Sequence, residues 1–513
     1  MAGTHGIQLR GLDTTRSPLF QGPFGRMFRN LPAARFGASD EENTTNLRKL
    51  GAMITRGDDK AKDGKDAEES GIPALYTYFG QFVDHDITFD PMSSLMKQND
   101  PDALVDFRNP AFDLDNVYGR GPGDQPYMYS DSQHFLLGSK LSGGRPGAAD
   151  LPRNSVGRAL IGDPRNDENS IVSQLQGLFL RFHNRLVDEN KKSGLSFAEI
   201  QNLVRRHYQF IVLHDFLPRI VKKSVLDELK TEGLYDEKKL HFFHWKNTPF
   251  MPVEFSVAAY RLGHSMVRPG YRLNDKILLQ IFPDAGSKFG LTGFQTMKSD
   301  RGIDWGRLID IDERKYDGTE AVKKRRLQFA YRIDTSMVDP LGKLPGTVVS
   351  DPPPSLAERN LLRGWEFGLP SGQAVARAMG QKALRDDEII IGKAVDPRDV
   401  DPADPPSLPI VEAAGKVFAG NCPLWTYVLA EAAANRVKVK IPVKGNISVN
   451  TAQLGPVGGR IVAEVFLGLM FGDGASLLSR APHWVPTMGK TFALKDFVRY
   501  ALGEGPPLGA GKS

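Results

Sequence analysis

Apolar residues fall at helical spacing over most of the 513-residue chain. From Ile72 they run through Leu75, Phe79, Phe82, Val83 and Ile87, which predicts a buried amphipathic helix. A long helix is expected over Asn169–Asn190, with Ile171, Leu175, Leu178, Phe182 and Leu186 on one face and Asp167 as a candidate cap. A second follows over about 196–216, and another over Val253–His264, ended by Arg268-Pro269-Gly270. Gly459–Leu467 is helical again. Passages near 340–354 and 396–409, rich in Pro and Asp, are expected to be surface loops, and strands are few and weak. The fold class is therefore mainly α: one large helical domain with long connections. Residues 1–45 are expected to be an irregular arm, 46–502 the body and 503–513 a frayed tail. The charged stretch before Ser70 is expected to be a solvated loop.

Composition narrows this picture only a little. A balance of 66 Lys and Arg against 61 Asp and Glu gives +5, which does not call for nucleic acid. One cysteine, Cys422, rules out intrachain disulfides. No apolar run reaches the length of a membrane span or, in the first 35 residues, of a signal peptide. The expectation is a soluble protein, cytoplasmic or exported by a route invisible in the sequence.

Polar chemistry is concentrated in three patches. The first is Gly80-Gln81-Phe82-Val83-Asp84-His85-Asp86 on the first amphipathic helix. Gln81 and His85 share a face one turn apart, and Asp86 points elsewhere. Three ionisable groups in a row are costly to bury without partners, which points to a metal, a cofactor or paired charges nearby. A polar helix end with one satisfied histidine is the plainer alternative. The second patch is Gly162-Asp163-Pro164-Arg165-Asn166-Asp167-Glu168-Asn169. Helix capping and the helix dipole account for Asp167 and Glu168 but not for Arg165, a cation at the positive end of a helix. The third is Tyr260-Arg261-Leu262-Gly263-His264, where a glycine lets something flat approach the backbone beside a histidine.

Taken in order, these patches resemble the peroxidase–cyclooxygenase superfamily, the animal-type haem peroxidases. The family's distal signature is matched by Gly80-Gln81 and Asp84-His85-Asp86. Its catalytic arginine three residues before a glutamate is matched by Arg165 and Glu168. Its proximal Arg-x-Gly-His is matched by Arg261–His264, and its supporting asparagine by Asn360, with Arg363 following and Gly368-Leu369-Pro370 downstream. Its calcium loop is similar to Asn109-Pro110-Ala111-Phe112-Asp113-Leu114-Asp115. The single cysteine departs from the disulfide-rich vertebrate members and suits a bacterial-type member. Asn169 stands where one vertebrate branch carries a haem-linked methionine.

The resemblance implies haem b held by His264, with Asn360 fixing its imidazole. It makes His85, Arg165 and Gln81 catalytic. A neutral His85 would move a proton between the two oxygens of hydrogen peroxide, Arg165 would stabilise the developing negative charge, and Gln81 would hydrogen-bond a water or halide. Asp84 and Glu168 would form esters to haem, unless each simply pairs with a cation such as Arg165. Asp86, Asn109, Ala111 through its carbonyl, Asp113 and Asp115 would bind calcium, unless the loop is only a solvated Asp-rich turn. The implied activity is peroxide-dependent oxidation of iodide, thiocyanate, bromide or small phenols.

Two alternatives compete. A fatty-acid dioxygenase of the same superfamily places a radical tyrosine three residues before the proximal histidine. Here that position is Arg261, and Tyr260 is expected to face away, being about 100° round a helix. A non-catalytic haem-binding or adhesion protein would have lost part of the intact site. His183 is expected to be a core residue, and the pair His241 and His244 has metal-ligand spacing without a third ligand.

Overall fold

The computed structural model describes residues 22–57, 59–88, 105–106, 110–283, 290–346, 348–349, 352–509 and 511. Helices of eight or more residues are numbered α1 (Asp40–Ile54), α2 (Leu75–Ile87), α3 (Ser170–Asn190), α4 (Phe197–Ile211), α5 (Leu356–Glu366), α6 (Leu424–Ala434), α7 (Gly458–Gly472) and α8 (Leu494–Ala501). Strands are short; the longest pairing among the described residues is the hairpin of Arg436–Lys440 with Ser448–Ala452. The mainly helical architecture expected from the periodicity is the one observed.

The apolar stripe of α2 does what its spacing requires. Phe79, Phe82, Val83 and Ile87 are all sealed from solvent. Phe82 stacks on Phe179 of α3 at 4.3 Å, and Phe179 and Phe182 both pack on Phe497 of α8. Parallel-displaced and edge contacts among so many rings add to their area burial and fix the helices against one another. One main core runs through the body, including α6 and α7, whose apolar residues are buried nearly all round.

Several local expectations need correction. α3 is capped by Asn169, whose side chain accepts from the amides of Ile171 and Val172, not by Asp167. Asp167 instead pairs with Arg153 at 2.7 Å and accepts from Ser173. Asn in an extended conformation at the position before the helix makes the better cap. The stretch 253–264 is not an α-helix: a π turn over Glu254–Ala258 gives way to a 3-10 helix over Ala259–His264. α4 likewise continues into a π turn, Val212–Phe216.

The charged stretch before Ser70 is solvated only in part: Lys60, Lys62 and Lys65 are exposed, but Glu68 and Glu69 are buried. α1 extends to Ile54, and Glu69, 1% exposed, is bridged by Arg268 at 2.7 Å and Arg326 at 2.5 Å. Glu68 and Asp59 share Lys393. Burying a carboxylate requires such partners, and sequence periodicity gives no sign of partners 200 residues away. Residues 1–21 of the arm lie outside the described residues; of the rest, Gly22–Gly25 pair with Val105–Asp106 and Met251–Pro252, and α1 already begins at Asp40. Residues 503–509 are docked, not frayed: Arg185 of α3 donates to the carbonyls of Tyr500, Glu504 and Gly505, and Leu508 is buried.

Candidate active site

α2 presents Gln81, Asp84 and His85 towards the segment Asp163–Asn169. His85 is buried, and its Nδ1 lies 2.8 Å from Oδ1 of Asn166. Asn166 is itself oriented, because its Nδ2 donates to Gln176 at 2.9 Å. A carbonyl oxygen can only accept, so the imidazole hydrogen sits on Nδ1 and the Nε2 lone pair is left for chemistry. Burial, reinforced by the Arg165 charge, pushes the imidazolium down to about 4. His85 is therefore neutral over the physiological range, as a proton acceptor must be. Asn166 lay within the second patch, but nothing in the sequence marked it as the partner of a histidine 81 positions earlier.

Arg165 is anchored rather than mobile. Its guanidinium bonds Asp163 at 2.8 Å and the carbonyls of His85 and Thr88 at 3.0 and 2.5 Å. The last two are orphan acceptors at the C-terminal end of α2, so the cation also satisfies a helix terminus. Asp163, fully buried, holds Arg165 in place, a role that helix capping alone would not suggest. Gln81 donates to Glu168 and accepts from Asn169. Burial raises the Glu168 carboxyl to about 7; Arg165 opposes the shift and Asp84 adds to it. Thr88 donates to Asp84 at 3.2 Å.

On the opposite side, His264 Nδ1 lies 2.9 Å from Nδ2 of Asn360 on α5, and Arg261 donates to Oδ1 of the same amide at 3.2 Å. Burial, with the Arg261 charge, takes the His264 imidazolium down to about 3. With the amide in this orientation Nδ1 accepts and Nε2 carries the hydrogen. Ligation of iron through Nε2 needs the reverse: Asn360 turned about, with Oδ1 accepting from Nδ1–H. Arg363 is one turn further along α5, its guanidinium 5.0 Å from the centre of the Phe367 ring.

Whether this arrangement suits a haem is tested by where accessible surface survives. Glu168, Arg261 and His264 lie deep within the protein yet retain surface that water can touch. Gly80, Gln81, Asp84, Arg165 and Gly263 are also only partly covered. A Cβ built on Gly263 would meet nothing within 4 Å. Surface retained at these otherwise deep positions, with room beside Gly263 next to His264, suits the approach of a flat cofactor.

Tyr260 is held against α2. Its hydroxyl donates to the Gly80 carbonyl of α2 at 3.1 Å, and its ring stacks on Phe255 at 4.8 Å. It faces α2, whereas Arg261, next to it in the same 3-10 helix, faces Asn360 on α5.

The implied calcium site is equally concrete. Ligand atoms of Asp86, Asp113 and Asp115 lie within 4.8 Å of one another. Neither oxygen of buried Asp86 has a well-formed hydrogen bond, though Tyr208 and the Leu114 amide are near. Burial, with Asp113 and Asp115 adding, holds its carboxyl well above the usual range. A hard cation with oxygen ligands fits such a donor set and would remove the penalty. Ala111 is buried in the same loop, and Asn109 lies outside the described residues. The loop is tied to the rest of the site by Asn116, which donates to Phe82 of α2 and accepts from the Asp163 amide. His241 and His244 are exposed and joined only by a 3.0 Å contact from ring to carbonyl, whereas His183 is a core residue bonded to Tyr118 and Gln133.

Comparison with known proteins gives the family. The animal haem peroxidase family model matches residues 110–386, more than half of the chain. Rat thyroid peroxidase is 25% identical over 207 residues, 36% of this chain and 21% of that protein. Human thyroid peroxidase is 31% identical over 124 residues, 23% of this chain and 12% of that one. The matches thus span about a fifth or less of these relatives. In fold, peroxidase A from Dictyostelium discoideum superposes with a TM-score of 0.57 at 16% identity, covering 96% of each chain. The fatty acid alpha-dioxygenase of Arabidopsis thaliana gives 0.51 at 15%, covering 92% of this chain and 76% of that one. With the family model matched across the segment that contains Arg165, Glu168, His264 and Asn360, the chain belongs to the animal haem peroxidase family.

Proposed function

We propose that this protein is a haem peroxidase that reduces hydrogen peroxide and oxidises iodide, thiocyanate, bromide or small phenols. The observation that carries the reading is the His85–Asn166 bond, which fixes the imidazole hydrogen on Nδ1 and leaves a buried, neutral Nε2 lone pair. Haem b, held through His264 with Asn360 as its hydrogen-bond partner, supplies the redox-active iron. His85 Nε2 takes the proton from one oxygen of hydrogen peroxide and returns it to the other, so that water leaves. Arg165, fixed by Asp163, supplies positive charge where the departing oxygen becomes negative. Gln81 is placed to hydrogen-bond a water or halide. Asp84 and Glu168 are the candidates for ester links to haem; an ester abolishes the carboxylate, which suits the burial of Glu168. Calcium bound by Asp86, Asp113, Asp115 and carbonyls of the loop containing Asn109 and Ala111 would hold the end of α2 in register. Residues 46–502 are read as the catalytic domain. Among the described residues no helix is long and apolar enough to cross a membrane.

Tyr260 favours one alternative, the fatty-acid dioxygenase, because its hydroxyl reaches α2. The deciding assay compares peroxide-driven halide oxidation with oxygen uptake on linoleate, in the wild type and in Tyr260→Phe. Iodide and bromide turned over readily, chloride poorly with Asn169 in place of a methionine, and no Tyr260-dependent oxygen uptake are expected. Fast oxygen uptake abolished by Tyr260→Phe, with negligible halide or phenol turnover, would replace this reading by the dioxygenase.

A further inference from the structure

The proximal histidine stands on backbone that cannot hold itself rigid. Glu254–Ala258 is a π turn and Ala259–His264 a 3-10 helix, and the two meet at Ala258 with φ −128° and ψ −75°. Neither has the regular ladder of an α-helix, so the position of His264 depends on what the segment is tied to.

Two ties come from the N-terminal arm. Glu254, 0% exposed, accepts the backbone amides of Met27 at 3.1 Å and Phe28 at 3.0 Å. Just before it, Met251 and Pro252 pair in parallel with Phe24 and Gly25. The arm then reaches a second element. Arg26 donates to the carbonyls of Phe367 at 2.5 Å and Gly368 at 3.2 Å, at the end of α5, and the Ala34 amide donates to Leu369 at 2.9 Å. α5 carries Asn360. One short stretch of chain thus joins the element bearing His264 to the element bearing its hydrogen-bond partner.

We propose that residues 24–34 are a strap that sets the distance and orientation between His264 and Asn360, with Arg26 and Glu254 as its positioning residues. Neither touches the imidazole; both act through the backbone. From within, Arg261 bonds the Ser256 carbonyl, tying the π turn to the 3-10 helix that carries His264. Hydrogen bonds to charged groups are stronger than neutral ones, and hydrogen exchange is the readout that would register their loss locally. The proposal rests on His264 being the iron ligand, and its test separates the two.

In the full-length protein, Arg26→Ala, Arg26→Lys and Glu254→Gln are compared with His264→Ala. The iron–histidine stretching band of the ferrous protein is read by resonance Raman, and amide exchange is followed in the apoprotein over 254–264 and 356–366. Arg26→Ala and Glu254→Gln should shift or broaden the band and speed exchange in both segments by about tenfold or more, with Arg26→Lys intermediate. Arg26 is partly exposed, so its removal should leave a folded protein. An unchanged band in both variants, with haem lost in His264→Ala, would overturn the strap and leave the haem assignment standing. If His264→Ala keeps the wild-type band, the haem assignment fails, and the apoprotein exchange decides: faster in both segments sustains the strap, unchanged ends it.

Discussion

At the scale of single residues, the site is an arrangement of orientations as much as of groups. His85 would be an ordinary buried histidine without Asn166, and Asn166 would be free to turn without Gln176. Replacing Asn166 by Ala removes the acceptor that selects the Nδ1–H tautomer, while both histidines and the proposed ligand stay. We expect Asn166→Ala to bind haem normally and to slow the reaction with peroxide about 10²-fold, the usual worth of a positioned acid–base group. Stopped-flow mixing with peroxide reads this directly, and an unchanged rate would remove Asn166 from the account. Asp163→Asn should act differently. It leaves Arg165 with a neutral partner and the carbonyls of His85 and Thr88, so we expect a smaller rate loss with a larger loss of thermal stability.

At the scale of elements, α2 shows what patterning can and cannot reveal. Its apolar stripe announced the helix, and the placing of Gln81 and His85 on one face followed from a 100° step. The partners of His85 and Asp86 come from segments 27 to 81 residues away and leave no periodic trace. The π and 3-10 backbone before His264 escaped for a related reason: its apolar residues satisfy α spacing equally well, and only packing decides which ladder forms. The three-carboxylate cluster on α2 and its neighbouring loop gives a test with opposite signs. If Asp86 ligates calcium, Asp86→Asn should lower stability by about 3 kcal/mol in calcium buffer, the cost of breaking a buried ionic pairing. In chelator the same substitution should stabilise, because it deletes a buried carboxylate that lacks a well-formed hydrogen bond. Calorimetry in the two buffers checks both signs, and destabilisation of equal size in each would show that no cation is bound there.

At the scale of the whole molecule, distant parts of the chain are sealed together around groups that must stay neutral. His207 on α4 is the clearest case. It is 0% exposed, its Nδ1 is 2.8 Å from the Leu203 carbonyl, and its ring lies in edge contact with Phe182 of α3, Trp484 and Phe492. Burial takes its imidazolium from an ordinary 6.5 down to about 4. The sign follows from linkage: between pH 6.5 and 4 the unfolded chain binds a proton that the folded chain refuses, so stability falls as pH falls through that window. A shift of this size corresponds to about 3 kcal/mol. His183, equally buried and also held down to about 4, contributes in the same direction. Buried Glu431, raised to about 7 by burial, works the opposite way as pH rises above its ordinary 4.5, so the raw stability curve mixes the two. Difference measurements separate them. His207→Phe keeps an aromatic ring against Trp484 and Phe492 and removes the titrating group. Its stability relative to wild type should therefore rise as pH falls from 6.5 to 4 and be flat above 7. Denaturant melts of both proteins across that range give the difference, and one that does not change with pH would mean that His207 takes up its proton without leaving the fold.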